Sequence, residues 1–222
     1  MSLAYKAHNK NSSFIVAIDG TAASGKSLVS SMLADKFSLS HIESGMYYRM
    51  FAYRCLQESV SDVDRCDVSA LLALNDPFNT EGLDVLVLKN EKIGVLASEL
   101  ATIKELRYVV NQHINKLLES NNRLVVEGRD ISTVVLPNAD LKIFMMADIN
   151  VRAVRRYEQI YSRDICVDFS TVLSGMQARD IRDSTRDLSP LSATTDGLVI
   201  NTTSLSPEDV LMKIDEFIYS CG

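Results

Sequence analysis

Apolar residues fall into two patterns along this chain. A short unbroken run occurs at Phe14–Ile18, and short, largely apolar segments at Leu124–Glu127, Leu141–Met146 and Leu198–Asn201. Such runs predict buried strands of the parallel kind, covered on both faces. His41–Glu43 is a shorter strand candidate that ends at Ser44-Gly45. Between the runs the apolar spacing turns helical. Lys26–Phe37 predicts a helix with Leu28, Met32 and Leu33 on one side, and further helices are expected from Met46 to about Glu58, Asn150 to about Arg163 and Phe169 to about Arg186. Ser206-Pro-Glu-Asp209 starts the last helix well: a serine N-cap, proline in the first turn, and acids facing the positive end of the dipole. Strands alternating with helices imply an α/β fold around a parallel sheet.

The middle of the chain is less regular. Val68–Leu74 reads as a helix, Leu83–Leu88 and Lys92–Val95 as a hairpin turning at Lys89-Asn90-Glu91, and Leu96 to about Leu118 as one long helix. Residues 60–95 are therefore expected to form a small insertion on the substrate side of a single domain spanning residues 1–222. The polar stretch Met1–Ser13 is expected to be a disordered tail. There is no internal repeat, low-complexity tract or heptad run.

Composition narrows the classes. A 46% apolar content supports a full core, and a formal net charge of −6 removes the bulk basic footprint of a nucleic-acid binder. An anionic ligand must then be held by a local cluster of arginines. Cys55, Cys66, Cys166 and Cys221 are scattered, without a CxxC pair or histidines at metal spacing, and are expected to be reduced thiols. The N-terminal stretch lacks the apolar core of a signal peptide, and no apolar run is long enough to span a bilayer. A soluble cytoplasmic protein is expected, with no membrane or nucleic-acid partner, and a monomer because no apolar helix stripe is left over.

One motif is specific. Gly20-Thr21-Ala22-Ala23-Ser24-Gly25-Lys26-Ser27 matches G-x-x-x-x-G-K-[ST] in full, after a predicted strand and before a predicted helix. In such a P-loop the glycines let backbone N–H groups face the phosphates, and the helix N-terminus adds positive potential. Lys26 is expected on the β- and γ-phosphates of ATP, with the Ser27 hydroxyl on Mg²⁺. The motif marks a nucleoside triphosphate site without naming the acceptor.

Other candidates come from spacing. Arg179, Arg182, Asp183 and Arg186 stand at i, i+3, i+4 and i+7, one helical face suited to a sugar phosphate. Arg152, Arg155 and Arg156 form a second basic cluster, the expected content of a short lid over residues 150–168. Glu127-Gly128-Arg129-Asp130 follows a buried strand, where ligands of open α/β sheets bind, and Glu127 there is a candidate to hold a magnesium-bound water. Ser44-Gly45 with Tyr48-Arg49 follows the second strand candidate. Each pattern taken alone also fits a solvated face or a simple turn.

Together the segments Ile18–Ser27, Glu43–Arg49, Val125–Pro137 and Arg179–Arg186, with Ala139–Phe144 and Leu198–Thr203, resemble bacterial cytidylate kinases from about Phe14 to about Ile214. The resemblance implies a P-loop nucleoside-monophosphate-kinase fold: a parallel sheet flanked by helices, a small NMP-binding insertion and a short lid. It implies ATP-dependent phosphorylation of CMP and dCMP to CDP and dCDP. By motif position, Ser44, Arg49, Arg129 and Arg186 would hold the CMP phosphate, and Arg179 and Asp183 the sugar. Asp130 would meet cytosine, with Ser98 and Arg107 as further base-side contacts, and Arg155 and Arg156 would be the lid arginines. The sequence departs from the family at Glu43, where aspartate is common, and at Glu91-Lys-Ile-Gly-Val95, where a D-V-S-x-x-I-R segment is not recognisable.

The chemistry agrees with this resemblance. A nucleoside monophosphate oxygen is largely anionic near neutral pH, so transfer needs positioning and positive charge and no general base. His8, His41 and His113 lie outside the motifs. Lys26, Arg155, Arg156 and Arg186 are the expected catalytic cations, with Mg²⁺. A P-loop kinase with a hydroxyl acceptor would explain the loop but not the Arg179/Asp183/Arg186 face. A nucleotide switch would lack a guanine-reading N-K-x-D motif here.

Overall fold

The computed structural model describes residues 1–58, 63–74, 76–80, 83–162 and 167–220, with backbone only at residue 65. Cys166, Cys221 and parts of the expected insertion and lid lie outside the described residues. The chain divides into two compact units, Met1–Ile42 with Ser120–Gly222, and Glu43–Glu119.

The first unit is built on a five-stranded sheet of order β2-β3-β1-β4-β5. Its strands are β1 (Phe14–Gly20), β2 (Ser40–Glu43), β3 (Arg123–Gly128), β4 (Leu141–Met146) and β5 (Leu198–Asn201). β1 runs parallel to both β3 and β4, and β4 parallel to β5. All six residues of β3 are buried, with Arg123 and Glu127 flanking its apolar run Leu124–Val126. In register, Ile18 lies beside Glu127, Asp19 beside Gly128 and Gly20 beside Met145, so the carboxyl ends of the three central strands finish together. That alignment gathers the motifs of an open α/β sheet at one edge.

One sheet face carries α1 (Leu3–His8), α2 (Lys26–Phe37) and α10 (Pro207–Ser220), around a core including Phe14, Ile18, Leu33, Phe37, Leu141, Ile143, Ile214 and Ile218. Leu28, expected on the buried side of α2, is 54% exposed; the buried stripe is Val29, Leu33 and Phe37, which follows i, i+4, i+8. Two more helices, α8 (Ile149–Tyr161) and α9 (Phe169–Thr185), pack on each other through Ala153, Ile160, Val172 and Met176. At α10, Ser206 Oγ accepts from Asp209 N while the Asp209 carboxylate accepts from Ser206 N, a reciprocal cap.

The expected disordered tail is instead folded, in helix α1. Its anchor is Arg123, the first residue of β3, which is 7% exposed. Nη1 donates to the carbonyls of Lys6, Asn9 and Ser12, and Nη2 to those of Ala7 and Phe37. Several of these belong to the C-terminal ends of α1 and α2, where carbonyls lack intrahelical partners and the dipole is negative. A polar tail thus supplies acceptors to a buried cation. Lys6 pairs with Asp140 at 2.5 Å, and His8 lies between Phe37 and Tyr219.

The second unit is helical: α3 (Gly45–Gln57), α4 (Val68–Leu72), α5 (Val85–Leu88), α6 (Glu91–Leu100) and α7 (Lys104–Ser120). The hairpin expected at Leu83–Val95 is a pair of helices. Asp84 and Asn90 are side-chain N-caps, accepting from Leu86 N and Lys92 N, so the supposed turn residue Asn90 starts a helix. Ile93, Leu96, Ala97 and Leu100 are buried on α6 at helical spacing. The single helix expected from Leu96 is broken between Leu100 and Lys104, where Ala101 closes α6. Tyr47, Phe51, Phe78 and His113 form an aromatic cluster with centroids 4.6–5.3 Å apart. The expectation of unpaired thiols is corrected at Cys55 and Cys66. A short turn at Val63–Arg65 returns the chain to α3, and the two are joined by a disulfide with Cα atoms 6.2 Å apart. None of the described helices is long and apolar enough to cross a membrane.

The Arg123 anchor sets one expectation. Arg123→Met leaves buried carbonyls without donors and should cost about 3 kcal/mol in urea unfolding. The α1 amides should lose hydrogen-exchange protection with it. An unchanged midpoint with α1 still protected would show that other contacts hold the segment.

Candidate active site

The site in the first unit begins where β1 ends. Gly20 has φ +150°, and a Cβ there would lie 1.9 Å from the Met145 carbonyl oxygen, so only glycine lets the chain turn away this close to β4. The loop is then tied to β4 by Thr21 N to Met145 O at 3.2 Å and closes on itself through Ser24 Oγ to Thr21 O at 3.0 Å. α2 begins at Lys26 without a side-chain cap. A phosphate-binding helix start requires that its first amides not be used by a capping side chain.

Lys26 is buried and donates to the carbonyls of Gly20 at 2.9 Å and Thr21 at 2.7 Å. Burial, reinforced by the nearby Arg129 guanidinium and only partly offset by Glu127, pushes its pKa down to about 7. The loop is also gripped from outside. Arg152 donates to the Ala22 carbonyl at 3.2 Å, to Ala147 O at 2.8 Å and to Asp180 at 2.6 Å. Thr202 Oγ1 donates to Ser24 O at 3.0 Å, and Arg155 Nη2 to Thr202 O at 2.8 Å. Of the arginines expected in the lid, Arg152 is therefore a buried support of the loop, Arg155 is engaged with Thr202, and Arg156 is half-buried on α8.

At the end of β3, Glu127 is 3% exposed. Its Oε2 accepts from Ser27 Oγ at 3.1 Å, and its Oε1 lies 2.9 Å from His41 Nε2. His41, set aside in the sequence as lying outside the motifs, is thus joined to one of them. Asp19, fully buried at the end of β1, accepts from Ile131 N, Ser132 N and Ser132 Oγ at 2.6–2.7 Å. Burial raises its pKa, opposed by those hydrogen bonds. They fix the wide turn Ile131–Val135, in which Leu136 N donates to Ile131 O, directly after Arg129 and Asp130.

Arg179, Asp183 and Arg186 of the expected face meet Arg129 and Asp130 here. Arg129 Nε donates to Asp183 at 2.9 Å, Arg179 lies 3.7 Å from the same carboxylate, and Arg186 lies 3.7 Å from Asp130. Burial works against the ionised form of Asp183, but Arg129 and Arg179 outweigh it and hold the pKa below the usual aspartate value. Arg129 and Arg179 also act on Lys26, so the cluster and the phosphate loop share one field. Three arginines against two aspartates leave it cationic, a match for a phosphorylated acceptor.

The remaining candidates lie in the second unit. Ser44 is buried immediately before α3. Arg49 Nη1 donates to Leu88 O at 2.7 Å and Asn90 O at 3.2 Å. Its guanidinium presses on Gly94, where a Cβ would come within 2.9 Å. Ser98 is buried on α6 one turn beyond Gly94. Arg107 is buried on α7 and donates to Ala101 O at 3.0 Å.

Sequence reasoning missed Asp19, His41, Arg152 as a loop support, and Thr202. Asp19 had a legible signal, a carboxylate closing an otherwise apolar strand. His41 had none, because its partner is 86 residues away.

A nucleotide loop on a parallel sheet beside clustered arginines defines a phosphotransferase of the P-loop kind. A model of the cytidylate kinase family matches residues 16–220. Relatives include the cytidylate kinases of Rickettsia bellii, 40% identical over 98% of this chain and 98% of that one, and of Rickettsia canadensis, 37% identical over 98% of each. The crystal structure of an uncharacterized protein from Eubacterium ventriosum shares the fold, with a TM-score of 0.53 at 18% identity, covering 94% of this chain and 99% of that one. The chain belongs to the cytidylate kinase family and is a nucleoside monophosphate kinase.

The depressed Lys26 pKa has a readable sign. Lys26 is largely neutral in the free protein above pH 7, and bound phosphates favour its charged form. Binding of Mg-ATP at pH 8 should therefore take up about one proton per site. Calorimetry in buffers of differing ionisation enthalpy measures it, and Lys26→Met should abolish it. No uptake by the native protein would mean that Lys26 is already charged.

Proposed function

We propose that this enzyme transfers the γ-phosphoryl group of ATP to CMP and dCMP, giving CDP or dCDP and ADP, as a step of pyrimidine nucleotide metabolism. The observation that carries the reading is the cluster of Arg129, Arg179 and Arg186 with Asp130 and Asp183, in the same field as Lys26. A phosphate oxygen of the acceptor attacks the γ-phosphorus, and the bond from that phosphorus to the β–γ bridging oxygen breaks in line, with ADP as the leaving group. The attacking oxygen is already anionic, so no base is needed, and the protein's work is alignment and charge stabilisation.

Residues 20–27 are read as the ATP cradle, with Lys26 on the β- and γ-phosphates. Arg129 and Arg186 are read on the acceptor phosphate, and Arg179 with Asp183 on the ribose. The carboxylate of Asp130 would accept from the N4 amino group of cytosine and repel the O4 of uracil. Ser44, Arg49, Ser98 and Arg107 of the second unit are carried as further CMP contacts on the family resemblance. Arg155 and Arg156 are the candidates for charge on the transferring group. For Arg155 that role requires exchanging its bond to Thr202 for one to phosphate.

The donor set suits Mg²⁺. A hydroxyl and a carboxylate, Ser27 and Glu127, lie 3.1 Å apart, and the described residues contain no group of three or more acidic, histidine or cysteine side chains that would make a protein cage. Magnesium is ordinarily held by one or two protein oxygens together with waters and substrate phosphates. When bound, it supplies charge neutralisation at the β- and γ-phosphates. Ser27 would hold it directly and Glu127 through water. We read the protein as a monomer acting on free nucleotides in the cytoplasm.

ADP formation should be stimulated mainly by CMP and dCMP in a panel with UMP, AMP, GMP, shikimate and gluconate. Turnover confined to a hydroxyl acceptor would overturn the acceptor assignment. Asp130→Ala should lower the CMP-over-UMP ratio of kcat/KM about tenfold or more. An equal fall for both nucleotides would remove its base-reading role.

A further inference from the structure

Glu127 is held from two sides, and only one of them belongs to the phosphate loop. Its side chain is 4% exposed, and each carboxylate oxygen has its own partner, Ser27 Oγ on Oε2 and His41 Nε2 on Oε1. His41 comes from β2, the edge strand beside β3, and its ring is 25% exposed. Nε2 faces that carboxylate oxygen at hydrogen-bond distance, so the ring can donate to it. A glutamate has three rotatable bonds, and pointing one of its oxygens at a cation or its water costs rotamer freedom. A donor fixed on a strand and bonded to the other oxygen removes that cost before the ligand arrives. Outer hydrogen bonds of this kind orient metal-side carboxylates and are commonly worth tenfold or more in metal affinity.

We propose that His41 is a positioning residue for the metal–nucleotide site: by holding Oε1 of Glu127 it presents Oε2 toward Ser27 and the divalent cation. The inference rests on the reading of Glu127 as the magnesium-side carboxylate. It adds a component outside the phosphate loop and the arginine cluster, supplied by the edge strand β2. His41 does not touch substrate in this role, and its effect runs through Glu127.

The test compares His41→Ala, His41→Gln and Glu127→Gln with the native enzyme. Mn²⁺ binding to the enzyme–ADP complex is followed by electron paramagnetic resonance, which reads the metal without turnover. In parallel the free Mg²⁺ giving half-maximal CMP phosphorylation is measured. His41→Ala should weaken Mn²⁺ binding about tenfold and raise the half-saturating Mg²⁺ by a similar factor, while the KM for CMP stays within about twofold of native. The amide of His41→Gln reaches a position close to that of Nε2 and can donate, so it should recover most of the affinity. Thermal unfolding of the two His41 variants controls for damage to the edge strand. Native Mn²⁺ affinity in His41→Ala, with Glu127→Gln impaired, would overturn the role of His41 and leave Glu127 standing. Native affinity in Glu127→Gln would instead remove the reading on which the inference rests. Equal losses in His41→Ala and His41→Gln, with both proteins stably folded, would also overturn it, since a donor at that position would then not matter.

Discussion

The first unit's site depends on the carboxylate of Asp19. It is fully buried, which penalises its charge, and it answers that penalty with three short hydrogen bonds from Ile131 and Ser132. Those bonds join the end of β1 to the turn after β3. On one side of Asp19 the chain enters the phosphate loop at Gly20. On the other, the turn it holds follows Arg129 and Asp130, the residues that meet α9. Two segments more than a hundred residues apart in sequence are thereby set in one geometry before any ligand binds. Preorganised dipoles and charges of this kind are what phosphoryl transfer requires.

A second constraint is electrostatic. A chain with a net charge of −6 must gather enough positive charge to hold two polyanions. It does so by packing arginines with aspartates: Arg129 and Arg179 with Asp183, Arg186 near Asp130, and Arg152 with Asp180. Each carboxylate relieves the repulsion among the guanidinium groups and fixes their direction. Arg152 shows that not every such pair faces ligand, since its other bonds run to the carbonyls of Ala22 and Ala147. The same residue type that would stabilise a transferring phosphoryl also braces the loop that receives it.

Much of this was legible from the chain. Strands β1 and β3 are legible as short apolar runs because both faces of a central parallel strand are covered, and β4 and β5 by their largely apolar content. The phosphate loop is legible because a backbone nest needs glycines at fixed places, and the α9 arginines because helical spacing is local. What escaped depended on partners distant in sequence. Met1–Ser13 looks disordered by composition, and it folds because Arg123 needs acceptors. Residues 83–95 alternate like a hairpin, yet Asp84 and Asn90 cap helices there, and short apolar runs do not separate the two outcomes. Cys55 and Cys66 carry no motif; a turn between them brings them together. His41 reads as one polar residue in a short edge strand until β3 is set beside it.

The Arg123 anchor also bears on the order in which the molecule is completed during synthesis. A six-residue helix does not persist alone in water. The guanidinium that closes α1 is made 116 residues after Ala7, and the tyrosine that meets His8 is made 211 residues after it. The segment is therefore secured only after residues far along the chain have been made. Until β3 is made it has no buried donor for its carbonyls, and a chain that stops before β3 never acquires one.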